Sequence, residues 1–185
     1  MTHLVAGGDF LALFTQMRSG AFRLELRDRY NVPEERARWE AFQVRDWAEL
    51  DRLNESQRAT WMRLMREATM TGRHVQRVRV VSEPPSDYIR FELALNPGNA
   101  DAGEDIRYLP RHVADDLDLP SEDYWLFDRR RLALMRFDDD DALVSTELID
   151  DPGTVARYSE GRDTAWAVAT PFAEYVKKWR GAERP

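Results

Sequence analysis

The sequence predicts one α/β (or α+β) domain, residues 1–185. We expect a central mixed β-sheet of about five to six strands, N-terminal helices and a long C-terminal helix. Three observations carry this expectation. Apolar residues recur at helical spacing near both ends of the chain. β-Branched and aromatic residues alternate in short runs through the middle. Two of those runs, near residues 75–81 and 106–109, are separated by the length of a right-handed crossover unit. A chain of 185 residues can also bury a sizeable core.

Met1 to Gly7 is expected to be loose. Phe10, Leu13, Phe14 and Met17 share one helical face, and Ser19-Gly20 ends that helix. Phe22 to Arg27 alternates, the pattern of a half-buried strand, with Arg23, Glu25 and Arg27 on an outer face read as solvated and self-neutralising. Pro33-Glu34-Glu35 opens a helix by placing proline and negative charge in its first turn; Trp39, Phe42 and Trp47 mark its buried side. A second helix is expected over 55–70, with Trp61, Leu64, Met65 and Ala68 inward and Gly72 as its stop. Helical spacing explains its Met and Trp stripe as core.

In Val75 to Val81, Val78 and Val80 face one way and Arg77 and Arg79 the other. Two guanidinium groups on one side need carboxylates, an anionic ligand or water. Ser82-Glu83-Pro84-Pro85 stops the strand. Ser86 suits an N-cap for a helix over 87–95, yet Ile89, Phe91, Leu93 and Leu95 also alternate, so a strand fits the same residues. Asn96-Pro97-Gly98-Asn99 is expected to end the segment. Ile106 to Leu109 is the next strand, entered through Glu104 and Asp105. Glu83 and Arg111 then fall just past two strand ends, the rim where open α/β sheets bind ligands. Tyr124 to Asp128 is apolar enough to lie centrally.

After a short link over 111–119, runs 132–137 and 143–148 flank Asp138 to Asp141, a hairpin with an acidic tip. EF-hand spacing is missing, and no metal is expected there. One helix is expected over 151–179, kinked at Pro171, with Lys177, Lys178 and Arg180 near its end and a frayed tail over 181–185.

The formal charge of −7 disfavours direct nucleic-acid binding. No cysteine means no thiolate chemistry or Cys-ligated metal. A signal-like leader and a run of about 18 apolar residues are both missing, so we expect a cytoplasmic protein without a membrane role. His3, His74 and His112 follow no nucleophile or zinc pattern, and no phosphate-cradling glycine motif occurs. No catalytic residue or cofactor is assigned. Carboxylate-pair chemistry among Glu83, Glu92, Glu104, Asp123 and Asp128 depends on convergence in space. The candidate binding residues are Arg77, Arg79, Glu83, Tyr88, Arg90, Glu104, Asp105, Arg107, Arg111, Trp125 and Asp128.

The runs RVRVVSEPPSDYIRFE (77–92), GEDIRYLPR (103–111) and DYWLFD (123–128), with AFRLELRDRY upstream and DTAWAVATPFAEY near the end, resemble an uncharacterised actinobacterial family, DUF6879. The resemblance spans about Phe10 to Tyr175. Its members are often encoded beside helix-turn-helix regulators, which implies a regulatory or partner-binding role. The element order is also similar to one lobe of a phospholipase-D-like fold. The chain lacks that fold's HxK pair, so the resemblance implies a binding module, with Arg77, Arg79 and Arg107 near an anion, rather than a phosphodiesterase.

The leading expectation is a non-catalytic binding or regulatory module with a protein partner, such as a DNA-binding regulator, and a small anionic ligand as a further class. The alternative is a small-molecule enzyme using Glu or Asp as acid and base, its pocket shaped by Tyr88 and Trp125. A homodimer through the last helix is a third arrangement.

Overall fold

The computed structural model describes residues 2–5 and 7–179. Among these, alternating and helical segments form β1 (Thr2–Val5), α1 (Gly7–Gln16), β2 (Gly20–Glu25), a 3-10 turn (Pro33–Glu35), α2 (Arg36–Gln43), α3 (Trp47–Gln57), α4 (Ala59–Met70) and β3 (His74–Val81). The chain continues through α5 (Asp87–Asp101), β4 (Glu104–Pro110), α6 (Arg111–Ala114), β5 (Asp123–Phe127), β6 (Arg131–Phe137) and β7 (Leu143–Ile149). It then forms α7 (Pro152–Val168), β8 (Thr170–Pro171) and α8 (Phe172–Lys178).

The strands make one mixed sheet in the order β1-β7-β6-β5-β2-β3-β4-β8. β2, β3 and β4 run parallel and the remaining pairings are antiparallel. The sheet therefore has eight strands rather than five to six. The additional strands lie at its two edges, where pairing rather than pattern creates them. β1 pairs with β7 from Thr2↔Ile149 to Val5↔Thr146, so residues 2–5 of the segment expected to be loose are extended and paired. β8 is a two-residue strand against Arg107 and Tyr108.

The strand faces follow the side-chain period of two. Phe22, Leu24, Val78, Val80, Tyr124 and Leu126 form a core with Val155, Tyr158 and Ala165 of α7. On the opposite face, Trp125, Phe127 and Val75 pack with Phe14 of α1 and Met65 and Ala68 of α4. β5 lies centrally and its side chains are buried, and β6 and β7 form the hairpin around the acidic turn.

Four helix boundaries depart from expectation. The helix opened at Pro33 ends at Gln43, and Trp47, expected on its buried side, begins α3. Residues 87–95 are helical and α5 continues through Pro97 to Asp101. Burial replaces the expected stop: Asn96 and Asn99 are enclosed, and Asn96 Nδ2 donates to the Tyr108 hydroxyl of β4. The helix expected over 55–70 divides at Arg58, so α3 ends at Gln57 and α4 begins at Ala59. The long C-terminal helix is interrupted, not merely kinked. Thr170 and Pro171 leave it to pair with the edge of β4, a position where a missing N–H costs no ladder bond. α8 then stacks Tyr175 on Tyr108, with ring centroids 4.5 Å apart. The expectations for Arg180 and residues 181–185 lie outside the described residues. Among those described, no helix is long and apolar enough to cross a membrane.

Candidate functional site

Alternation in β2 and β3 places Arg23, Glu25, Arg77 and Arg79 on the face covered by α4 and α5, with Arg23 opposite Arg77 and Glu25 opposite Arg79. This face was expected to be solvated at β2. Instead Arg23 and Glu25 are buried, because the helices that follow β2 and β3 lie across it.

Buried charge requires partners. Glu25 accepts hydrogen bonds from Arg77 Nη1 and Arg79 Nε, each at 2.7 Å. Glu104 accepts from Arg77 Nε at 2.7 Å. Arg79 Nη1 pairs with Glu92 Oε2 of α5 at 2.8 Å, and Arg23 Nη2 donates to Asp123 Oδ2 at 3.0 Å. The Arg23 and Arg77 guanidinium groups also lie over the Trp125 ring, 5.9 and 5.7 Å from its centroid. Burial raises the Glu25 carboxyl, but Arg77, Arg79 and Arg23 outweigh it and hold the group at about 2.

The network reaches the surface at the carboxyl ends of β2 and β3. Here residues 28–33 and 86–88, with Glu35 and Trp39, line a cleft of about 920 Å³. Local sequence shapes it: Pro33 starts the 3-10 turn carrying Glu35, and the Ser86 hydroxyl accepts from Ile89 N, starting α5 so that Tyr88 lies in its first turn. The Tyr88 hydroxyl donates to Glu35 Oε2 at 2.9 Å and lies 3.3 Å from Glu92 Oε1. Glu35 is thus connected through Tyr88, Glu92 and Arg79 to Glu25 at the centre of the sheet.

Burial and the neighbouring Glu92 carboxylate push the Glu35 carboxyl up to about 7, more than Arg38 and the Tyr88 hydrogen bond offset. Burial also raises Glu92, but Arg79 more than compensates and its carboxyl is lowered. The geometry therefore sets two carboxylates apart: Glu92 held ionised inside, and Glu35 poised near neutral pH at the cleft. A second rim cleft, about 560 Å³, includes Arg111 and Asp123 among its lining residues.

The structure brings Arg77, Arg79, Glu104 and Trp125 into the buried network and Tyr88 between that network and the cleft. The other candidates stand apart. Glu83 pairs with Lys178 at 3.2 Å, and Arg90 Nε donates to the Pro85 carbonyl at 3.2 Å. Arg111 does sit at the rim, where it pairs with Asp28 and donates to the Ser82 hydroxyl. Asp105 is 3.8 Å from Arg107, which lies over Trp166 on the opposite face of the sheet. Asp128, past β5, accepts hydrogen bonds from the backbone N–H groups of Arg18, Ser19 and Gly20.

Sequence reasoning did not single out Glu35, Tyr30 or Trp39 for the cleft. Glu35 read as a charge opening a helix, and Trp39 as a core residue. Their only shared signal was position: all three fall between the first two parallel strands, where the crossover passes the rim.

No curated protein matches the chain in sequence. Among solved structures, TrmBL2, described as an archaeal chromatin protein with a novel mode of DNA binding, aligns with 12% identity and a TM-score of 0.44 over 91% of this chain and 54% of that one. The chain thus spans about half of that protein's length. The model of a domain of unknown function, DUF6879, matches residues 8–177 and so takes in the buried network and both walls of the cleft. On that match, the chain belongs to the DUF6879 family.

Proposed function

We propose that the protein is a non-catalytic binding module that takes a small ligand in the rim cleft and acts through a protein partner, of which a DNA-binding regulator is the favoured class. One observation carries the reading. The roomy, aromatic-walled cleft is connected by Glu35, Tyr88, Glu92 and Arg79 to paired charges at the centre of the sheet. A ligand that engages Glu35 or Tyr88 changes the partners of a network spanning β2, β3 and α5, which is what a regulatory module needs. In this reading Tyr88 meets the ligand, while Arg77, Arg79, Glu104 and Trp125 support it from behind.

The Glu35 carboxyl, poised at about 7, favours a second reading in which it serves as general base in a small-molecule enzyme. Calorimetric titration and turnover assays on one metabolite panel, with wild type and Glu35→Gln, separate the two. Binding without product formation supports the module. Turnover lost in Glu35→Gln supports the enzyme, and no binding across the panel overturns both readings of the cleft.

A further inference from the structure

We propose that the ligand taken by this cleft is a small organic cation, an ammonium or guanidinium compound whose charged head sits against Tyr30, Trp39 and Tyr88 and pairs with Glu35. The inference rests on the cleft being the binding site and adds the chemistry of its occupant.

The Tyr88 ring stands between the other two, with centroid distances of 6.2 Å to both Tyr30 and Trp39. Its plane is tilted 54° from Tyr30 and 40° from Trp39, so the three rings present differently oriented faces along one wall. Aromatic faces carry negative potential, and a desolvated cation against them gains attraction that a neutral group does not. Glu35 supplies the counter-charge beside this wall. Its Oε2 is held by the Tyr88 hydroxyl at 2.9 Å, whereas Arg38 approaches Oε1 only to 3.6 Å, beyond hydrogen-bond distance.

The arrangement of charge favours a cation over an anion. The arginines lining the cleft, Arg29 and Arg36, are exposed, and Arg36 pairs with Glu40 at 3.0 Å. Asp28 is occupied by Ser82 and Arg111. The carboxylate lining the cleft is Glu35, 19% exposed, with the Tyr88 hydroxyl as its hydrogen-bond partner and the buried Arg38 as a longer ion-pair partner at 3.6 Å. The groups acting on it from other elements are Glu92 and Tyr88 of α5, Arg38 of α2 and Arg79 of β3. Glu92 repels its ionised form, and an incoming cation relieves that repulsion.

The test uses the full chain with tetramethylammonium, choline, benzylamine and spermidine, each paired with a neutral or anionic isostere such as 3,3-dimethylbutan-1-ol for choline. Calorimetry measures affinity, and the Trp39 indole resonance reports position. At least one cation is expected to bind about tenfold more tightly than its neutral partner and to shift Trp39. Its affinity should fall as pH drops below about 7, because Glu35 must ionise to pair. Glu35→Gln keeps the volume and should abolish both the preference and the pH dependence, while an unchanged circular dichroism spectrum establishes that it folds. Neutral or anionic compounds that shift Trp39 while no cation does would refute the cation and leave the cleft reading standing. A panel in which nothing shifts Trp39 would refute both.

Discussion

Replacing Glu25 by Gln tests whether the charged face of β2 is enclosed or solvated. The substitution preserves volume and removes one charge. It leaves Arg77 and Arg79, both bonded to Glu25 at 2.7 Å, facing a neutral acceptor; the side chain of Arg79 is only 3% exposed. Removing one member of a buried pair costs about 3–5 kcal/mol, against about 0–1 kcal/mol for an exposed pair. A second route gives a similar magnitude. Holding the Glu25 carboxyl at about 2, against an ordinary 4.5, corresponds to about 3 kcal/mol of native stability. Because the folded value is depressed, that contribution is fully present above pH 4.5 and is lost as pH falls toward 2. Urea denaturation at pH 7, with the wild-type slope retained, should place Glu25→Gln about 3–5 kcal/mol below wild type. The difference should shrink as both proteins are titrated below pH 4.5. A loss under about 1 kcal/mol at pH 7 would mean that water reaches this face and that the network is not buried.

Glu35→Gln should act in the opposite direction. Its folded carboxyl is raised, so the wild type loses stability as pH climbs from 4.5 through about 7. The variant should be more stable than wild type by about 3 kcal/mol at pH 8 and nearly equal to it at pH 4, as read from urea midpoints. Gly161→Ala places a Cβ 2.4 Å from Pro120 Cδ, and thermal melts should show about 1–3 kcal/mol of destabilisation. Asp128→Ala frees the N–H groups of Arg18, Ser19 and Gly20, and should cost about 1–3 kcal/mol, with faster amide exchange confined to those residues.

Local pattern carried much of the fold. Alternation placed Val78 and Val80 on one face of β3 and Arg77 and Arg79 on the other, and apolarity placed Tyr124 to Phe127 at the centre. Periodicity carries this information because side-chain direction along a strand depends only on residue number. The chain pattern could not show which layer would cover each face. Thus Arg23 and Glu25 looked solvated until α4 and α5 lay across them, and Glu104 entered the network through parallel pairing with β3, where it stands opposite Val75. Pro97 inside α5, and Thr170 with Pro171 at the sheet edge, illustrate the same limit, since each follows a long-range contact rather than its local propensity.

What the sequence determined by itself was the mixed α/β class, the alternation of charge and apolar faces, and membership of the DUF6879 family. Tertiary structure alone decided that the charged face is interior, that Glu35, Tyr30, Trp39 and Tyr88 meet at the rim, and that the Glu35 carboxyl is poised near neutrality. The physical reason is that desolvation and Coulomb interaction depend on which side chains meet in space, and residues 35, 79 and 92 become neighbours only when two helices close over one sheet.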